Sequence, residues 1–269
     1  MFEFLRRLRR PAPSIDDELW RVTVAALPWA NDLDAPRQQR LRELSARFLR
    51  EKTITPVQGL QLDEVQHCML AAMCCLPLLE FGAEGLHGWS QMLVYPDEFR
   101  VKLVDFDEND VQHEWHEEIS GESHDNGVLI VSWADVAAEC AAPHRGDMVV
   151  VHEMAHKLDF LDGVVDGTPP LPREWQLEWA RDFQAAYEDF GDEVDALLDA
   201  EDEDPDRSAN DDDEDAGYLH GIRITAADAP EEFFAVVSEC HFSNPDALLA
   251  RMPRVAAHLI RFYGPSPFA

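Results

Sequence analysis

Hydrophobic positions along the chain recur with two periods, and the helical one dominates. Between Pro36 and Lys52, Leu41, Leu44, Phe48 and Leu49 repeat at helical spacing among arginines, which predicts an amphipathic helix. From Gly59 to Leu79 the apolar set is Val65, Met69, Ala72, Met73 and Leu76, with Asp63 and Glu64 in the opening turns and Pro77 near the close, the pattern of a core helix. Met92 to Tyr95 and Phe99 to Val104 read as strands split by Pro96-Asp97, and the nearly continuous apolar run from Gly127 to Trp133 is the clearest strand. Residues 105–126 are polar; His113, His116 and His124 lack ligand spacing and read as solvated loop positions. A short helix from Asp135 to Cys140 precedes the central one, which ends at Asp162-Gly163. After a Pro-rich loop, Trp175, Trp179, Phe183 and Tyr187 mark a helix from Glu174 to Phe190. Asp228 and Glu231 form a D-x-x-E capping box opening the next helix, and a last one spans about Asp246 to Arg261. The expected fold class is α+β, predominantly helical, with a small β-sheet.

Charge alters this picture. The 269 residues carry a net charge of −32, with 54 acidic residues and three lysines, Lys52, Lys102 and Lys157. Such a surface repels phosphate backbones, so direct nucleic-acid or anionic-membrane binding is not expected. Lysine scarcity with excess Asp suggests adaptation to high salt. Sixteen acidic residues fall between Glu188 and Asp215 with only Arg207 to offset them, and this low-complexity run is expected to be a mobile, solvated loop or excursion. The five cysteines are odd in number and lack C-x-x-C spacing, the pattern of buried free thiols. The basic N-terminus has no apolar stretch behind it and no window approaches 18 apolar residues, so the cytoplasm is the expected location. Residues 1–34 are expected to form a short helix or arm and residues 35–269 the main domain.

The chemistry concentrates in Val149-Val150-Val151-His152-Glu153-Met154-Ala155-His156-Lys157-Leu158-Asp159, which contains H-E-x-x-H. On a helix His152 and His156 lie one turn apart on one face and can share a metal ion, while Glu153, about 100° further round, is placed as a general base. The flanking valines, Ala155 and Leu158 predict a buried helix, in which two imidazoles and a carboxylate need a partner. Asp147 is expected to cap it. For a third ligand, Asp162 fits only a pattern that has glycine where this chain has Asp159. The downstream helix offers Glu232 and Glu239 on one face, facing either the metal or arginines such as Arg254 or Arg261. Glu232 is the expected ligand; Glu239 suits orienting a ligand histidine, and Asp159 a supporting position behind the ligands.

Here a resemblance becomes specific. The central motif through Asp162-Gly163 and the stretch Pro230-Glu231-Glu232-Phe233-Phe234-Ala235-Val236-Val237-Ser238-Glu239 are similar to the Mlc titration factor A family of zinc-dependent peptidases. So are Leu76-Pro77-Leu78-Leu79-Glu80-Phe81-Gly82, Tyr95-Pro96-Asp97-Glu98-Phe99, Gly127 to Trp133 and Asp166-Gly167-Thr168-Pro169-Pro170-Leu171. The resemblance covers about residues 35–265, with the acidic, low-complexity run 190–217 as an insertion-like departure from it. It implies a zincin-type, gluzincin-like core similar to the catalytic domain of anthrax lethal factor. One Zn2+ would be held by His152, His156 and Glu232, with Glu153 as base in the aminopeptidase-type hydrolysis of short peptides. It also implies a possible partner, a transcriptional repressor such as Mlc, and an alternative role sequestering it with little or no hydrolysis. Where the family has a tyrosine seven residues before the ligand glutamate, this chain has Thr225; Tyr218 and His220 are the nearby substitutes as transition-state donors. The strand Val128 to Trp133 is the expected edge for pairing with an extended peptide substrate.

Overall fold

The computed structural model describes residues 14–97, 99–106, 112–119, 121–124, 127–141, 147–203 and 217–268. In chain order these form α1 (Asp17–Ala26), α2 (Ala35–Glu51), β1 (Thr53–Pro56), α3 (Glu64–Cys75), β2 (Gln91–Tyr95), β3 (Phe99–Phe106), β4 (Gln112–Ile119), β5 (Gly121–His124), β6 (Val128–Ser132), α4 (Trp133–Ala141) and α5 (Val149–Asp159). Then come α6 (Arg173–Glu203), β7 (Tyr218–Leu219), β8 (Ile222–Arg223), α7 (Pro230–Ser243), α8 (Pro245–Arg251) and α9 (Pro253–Tyr263). The chain is predominantly helical with a small, mostly parallel sheet.

The sheet has the order β1-β2-β6-β5, parallel except for β5, which runs antiparallel to β6 from Gly121↔Val131 to His124↔Val128. The expectation that the Val128 strand is an edge is therefore corrected. Its unbroken apolar run reflects burial on both faces, with Leu129 at 0% and its opposite-face neighbour Ile130 at 7% exposure, and β5 lies outside it at that edge of the sheet. The polar stretch 105–126 is not simply loop: β4 pairs with β3 in a separate hairpin, and β5 completes the sheet. Side chains of the three histidines there lie outside the described residues.

Helix α1 docks rather than projecting as a free arm: Ile15 packs with Ala46 and Cys68, bordered by Leu19 and Trp20. Helix α3 begins in a complete capping box between Asp63 and Gln66. The larger correction concerns the acidic run. Helix α6 continues to Glu203, because Phe190 and Val194, 7 and 11 residues beyond Phe183, keep facing the core while Glu188, Asp189, Asp192, Glu193, Asp195 and Asp199 are exposed. Residues 204–216 lie outside the described residues. The C-terminal helix is two, α8 and α9, because Pro253 lacks an N–H and its ring blocks the preceding turn.

The core beside α7 is aromatic. Trp179 stacks on Phe183 with ring centroids 4.1 Å apart, and both pack against Phe234 of α7, with Phe262 and Tyr263 of α9 closing the cluster. Helix α5 packs between this α7 layer and strands β5 and β6. Lys157 fixes it further by donating from Nζ to the Val128 carbonyl at 2.9 Å.

Candidate metal centre

Helix α5 is held by its apolar residues: Val150, Val151, Met154, Ala155 and Leu158 are all fully buried. Burying each of the larger ones contributes on the order of 1.5–3 kcal/mol, which offsets carrying polar groups into the interior on the same helix. Those groups include Glu153, Lys157 and Asp159, all buried. His152 and His156 sit one turn apart with ring centroids separated by 4.8 Å and their Nε2 atoms 3.2 Å apart.

Helix α7 completes the arrangement. Glu232 brings Oε2 to 3.4 Å from His152 Nε2 and Oε1 to 3.2 Å from His156 Nε2. Seven residues on, Glu239 reaches the other side of the same ring, with Oε2 3.1 Å from His152 Nδ1. Its Oε1 accepts from the Met148 amide at 2.9 Å, the first free N–H of α5. Asp147 does not cap α5: Glu239 and Glu139 accept its leading amides, the latter from Val149 at 2.7 Å. Nor does the capping box of α7 form, since Asp228 is in the αR region ending a 3-10 turn and extended Ala229 takes the cap position without a side-chain acceptor.

The donor set fits a divalent ion. His152, His156 and Glu232 each aim a ligand atom into one space, all within 4.8 Å of one another. Bonds of 2.0–2.1 Å in a tetrahedron require donors about 3.3–3.4 Å apart, close to the separations seen. Beside these donors Glu153 is 2% exposed, and its Oε2 has no hydrogen-bond partner among the described residues. Burial pushes the Glu153 carboxyl up to about 7, against the opposing pull of His152 and His156. Burial alone would lower His152, but the Glu239 charge and the hydrogen bonds the ring donates to Glu232 and Glu239 outweigh it and raise it. For Glu232 burial acts upward, yet the two imidazoles prevail and hold its carboxyl well below the usual range.

The other expected residues are distributed as follows. Asp159, fully buried, accepts from the amides of Asp166 (3.1 Å) and Gly167 (2.8 Å), and burial raises its carboxyl to about 6. It thus supports the site at one remove: Gly167 lies so close to the start of α7 that an added Cβ would sit 2.3 Å from the Pro230 carbonyl oxygen. Asp162 is exposed and accepts from Val164 N, away from the metal group. The Tyr218 hydroxyl donates to Asp147 at 2.5 Å, and His220, its side chain 60% exposed, faces Glu193 at 3.7 Å. Neither contacts His152, His156 or Glu232 among the described interactions. Thr225 is exposed.

Sequence reasoning missed Arg223. Arg254 and Arg261, the alternative to a metal as partners of Glu232 and Glu239, lie elsewhere: Arg254 is 3.5 Å from Asp182 and Arg261 stacks over Trp175. Arg223, from strand β8, instead places Nη2 2.5 Å from Glu239 Oε2. No spacing rule links a two-residue strand to a helix position 16 residues later.

Two histidines from one helix and a glutamate from another are the ligand type of catalytic zinc in several metallopeptidases, and sequence comparison agrees with that class. The chain belongs to the glucose-regulated metallo-peptidase M90 family, whose model matches residues 3–264. Among its relatives, Mlc titration factor A of Cronobacter sakazakii is 34% identical over 255 residues, covering 91% of this chain and 89% of that protein. The Mlc titration factor A of Serratia proteamaculans is 34% identical over 245 residues (91% and 86%), and that of Escherichia coli 31% over 261 residues (92% and 91%). No helix among the described residues is long and apolar enough to cross a membrane.

Proposed function

We propose that this protein is a zinc-dependent peptidase with a zincin-type core, hydrolysing short peptides in aminopeptidase fashion. His152, His156 and Glu232 are the metal ligands and Glu153 the general base. The observation that carries the reading is the convergence of two Nε2 atoms and a carboxylate beside a buried glutamate oxygen that lacks a partner. Zinc bound there supplies Lewis acidity, acidifying water and polarising a carbonyl. Glu153 takes the proton of the attacking water at Oε2 and returns it to the leaving amine, a task suited to a carboxyl raised to about 7. Glu239 holds the His152 ring through Nδ1, so its Nε2 lone pair faces Glu232 and His156. The outer strand β5 offers the main-chain edge to which an extended peptide can add. Elemental analysis of the purified protein, with a panel of chromogenic aminoacyl and dipeptidyl substrates assayed with and without chelator, tests this reading. Chelator-independent turnover, or a metal-free protein that cannot be loaded, would overturn it.

A second reading is sequestration of a transcriptional repressor of the Mlc type. The name shared by the relatives and the presence of Thr225 both favour it. Both readings place the protein in the cytoplasm. A repressor-binding assay with Glu153→Gln separates them, because sequestration does not need the base.

A further inference from the structure

Arg223, its side chain 31% exposed, sets a cation next to a ligand side chain and a fully buried carboxylate, and the peptidase chemistry above gives it no task. Its Nη2 lies 2.5 Å from Glu239 Oε2 and 3.3 Å from His152 Nδ1. Two donors at that separation converge on one acceptor: Oε2 receives both the guanidinium and the imidazole. The other oxygen of Glu239 receives the Met148 amide. The carboxylate, 1% exposed, is thus held from three elements: β8, the turn into α5, and α5 itself. The guanidinium stands behind the imidazole, on the Nδ1 side, while the metal donors gather at Nε2, so Arg223 does not face the reacting atoms. The hairpin that carries it is fastened to the same end of α5 a second time, by Tyr218 donating to Asp147 at 2.5 Å.

We propose that Arg223 is a positioning residue for the metal centre: it fixes the Glu239 carboxylate in the one place from which it can orient His152. The inference rests on the metal reading above. A buried carboxylate with a single imidazole partner can swing about its χ angles, whereas a charge-assisted bond to a guanidinium sets the direction of the shared oxygen. The ring of His152 then inherits that direction, as ligand histidines do from the carboxylates behind them. Arg223 acts on the site only from the Nδ1 side of His152, chiefly through the short bond to Glu239 and secondarily through its longer 3.3 Å contact with Nδ1, and this makes its effect separable from bulk stability.

The test is zinc affinity, measured on the full chain by competition with a chromophoric chelator, for wild type, Arg223→Met, Glu239→Gln and the double variant. Wild type is expected to bind one zinc. Arg223→Met is expected to weaken binding 10–100-fold, the usual loss when a partner behind a ligand histidine is removed. In the Glu239→Gln background, loss of Arg223 should change affinity by less than about threefold, because the charge that gave the short bond its strength is already gone and only the longer 3.3 Å contact to Nδ1 remains. That background also removes the unpaired buried charge that threatens folding of the single variant, so the comparison survives if Arg223→Met fails to fold. Unchanged affinity in a folded Arg223→Met protein, or a further tenfold loss in the double variant, would overturn the proposal. If wild type binds no zinc, the metal reading itself fails and the proposal falls with it.

Discussion

Glu232 and Glu239 flank a single imidazole. They stand seven residues apart on α7, and the His152 ring lies between them with Nε2 toward the first and Nδ1 toward the second. Helix geometry allows this because seven residues are nearly two full turns, so both carboxylates leave the same face. One helix thereby presents both a ligand and the group that aims the opposing ligand.

The roles on α5 separate cleanly by mutation. Glu153→Gln is expected to retain zinc while losing at least about 10²-fold in turnover, the lower end of what general-base removal costs. His152→Ala is expected to lose both metal and activity. Metal content by elemental emission and initial rates on one substrate decide it; near-normal rates in the Glu153 variant would remove that residue from the chemistry.

Gly167 and Gly163 form a controlled pair. Both have φ between +77° and +92°, but an added Cβ meets nothing within 4 Å at Gly163 and lies 2.3 Å from the Pro230 oxygen at Gly167. Gly163→Ala should cost about 1–2 kcal/mol from backbone strain alone. Gly167→Ala adds a clash at the first turn of α7 and should cost about 1–3 kcal/mol more. Urea midpoints compare them, and equal losses would show that the close approach is not constraining.

His241, 2% exposed on α7, has its Nε2 3.1 Å from the Gly264 carbonyl, and burial lowers it to about 4. Its folded value lies below the unfolded one of about 6.5, so the unfolded chain takes up the proton first and stability falls as pH drops from about 6.5 toward 4. The loss between pH 7 and pH 5 is about 2 kcal/mol. Subtracting the unfolding curves of His241→Gln cancels the other titrations; a difference independent of pH across that window would exclude His241 as the source.

Salt dependence follows from composition together with burial. Lys52 and Lys157 are 8% and 5% exposed, so neither dilutes the surface charge of a chain at −32. Screening of carboxylate repulsion should raise the unfolding midpoint as KCl goes from 0.1 M toward molar concentration. A flat or falling midpoint would leave the acidic surface without that role.

The sequence made α5 legible because its valines, histidines and terminal glycine agree at every level. Glu232 and Glu239 were legible as two carboxylates on an otherwise apolar face. The cation opposite them was not, since Arg223 arrives by tertiary packing of a hairpin. Glu139, which accepts from Val149, was hidden for the same reason, on a helix whose own pattern gives no hint of α5. Strand β6 was recognised as a strand but misplaced in the sheet: a continuous apolar run signals two covered faces, which belongs inside a sheet. The acidic run misled because charge density outweighed the sparse apolar spacing of Phe190 and Val194.

Trp179 lies inside the aromatic cluster, 6.0 Å from Phe234, and Phe234 is two positions from Glu232 on the same helix. A native fluorophore therefore rests against the rod that bears the carboxylates. Any slippage of that rod which would spoil the alignment of donors must also disturb the indole, so the protein carries its own optical gauge of whether the hydrolytic apparatus is in register.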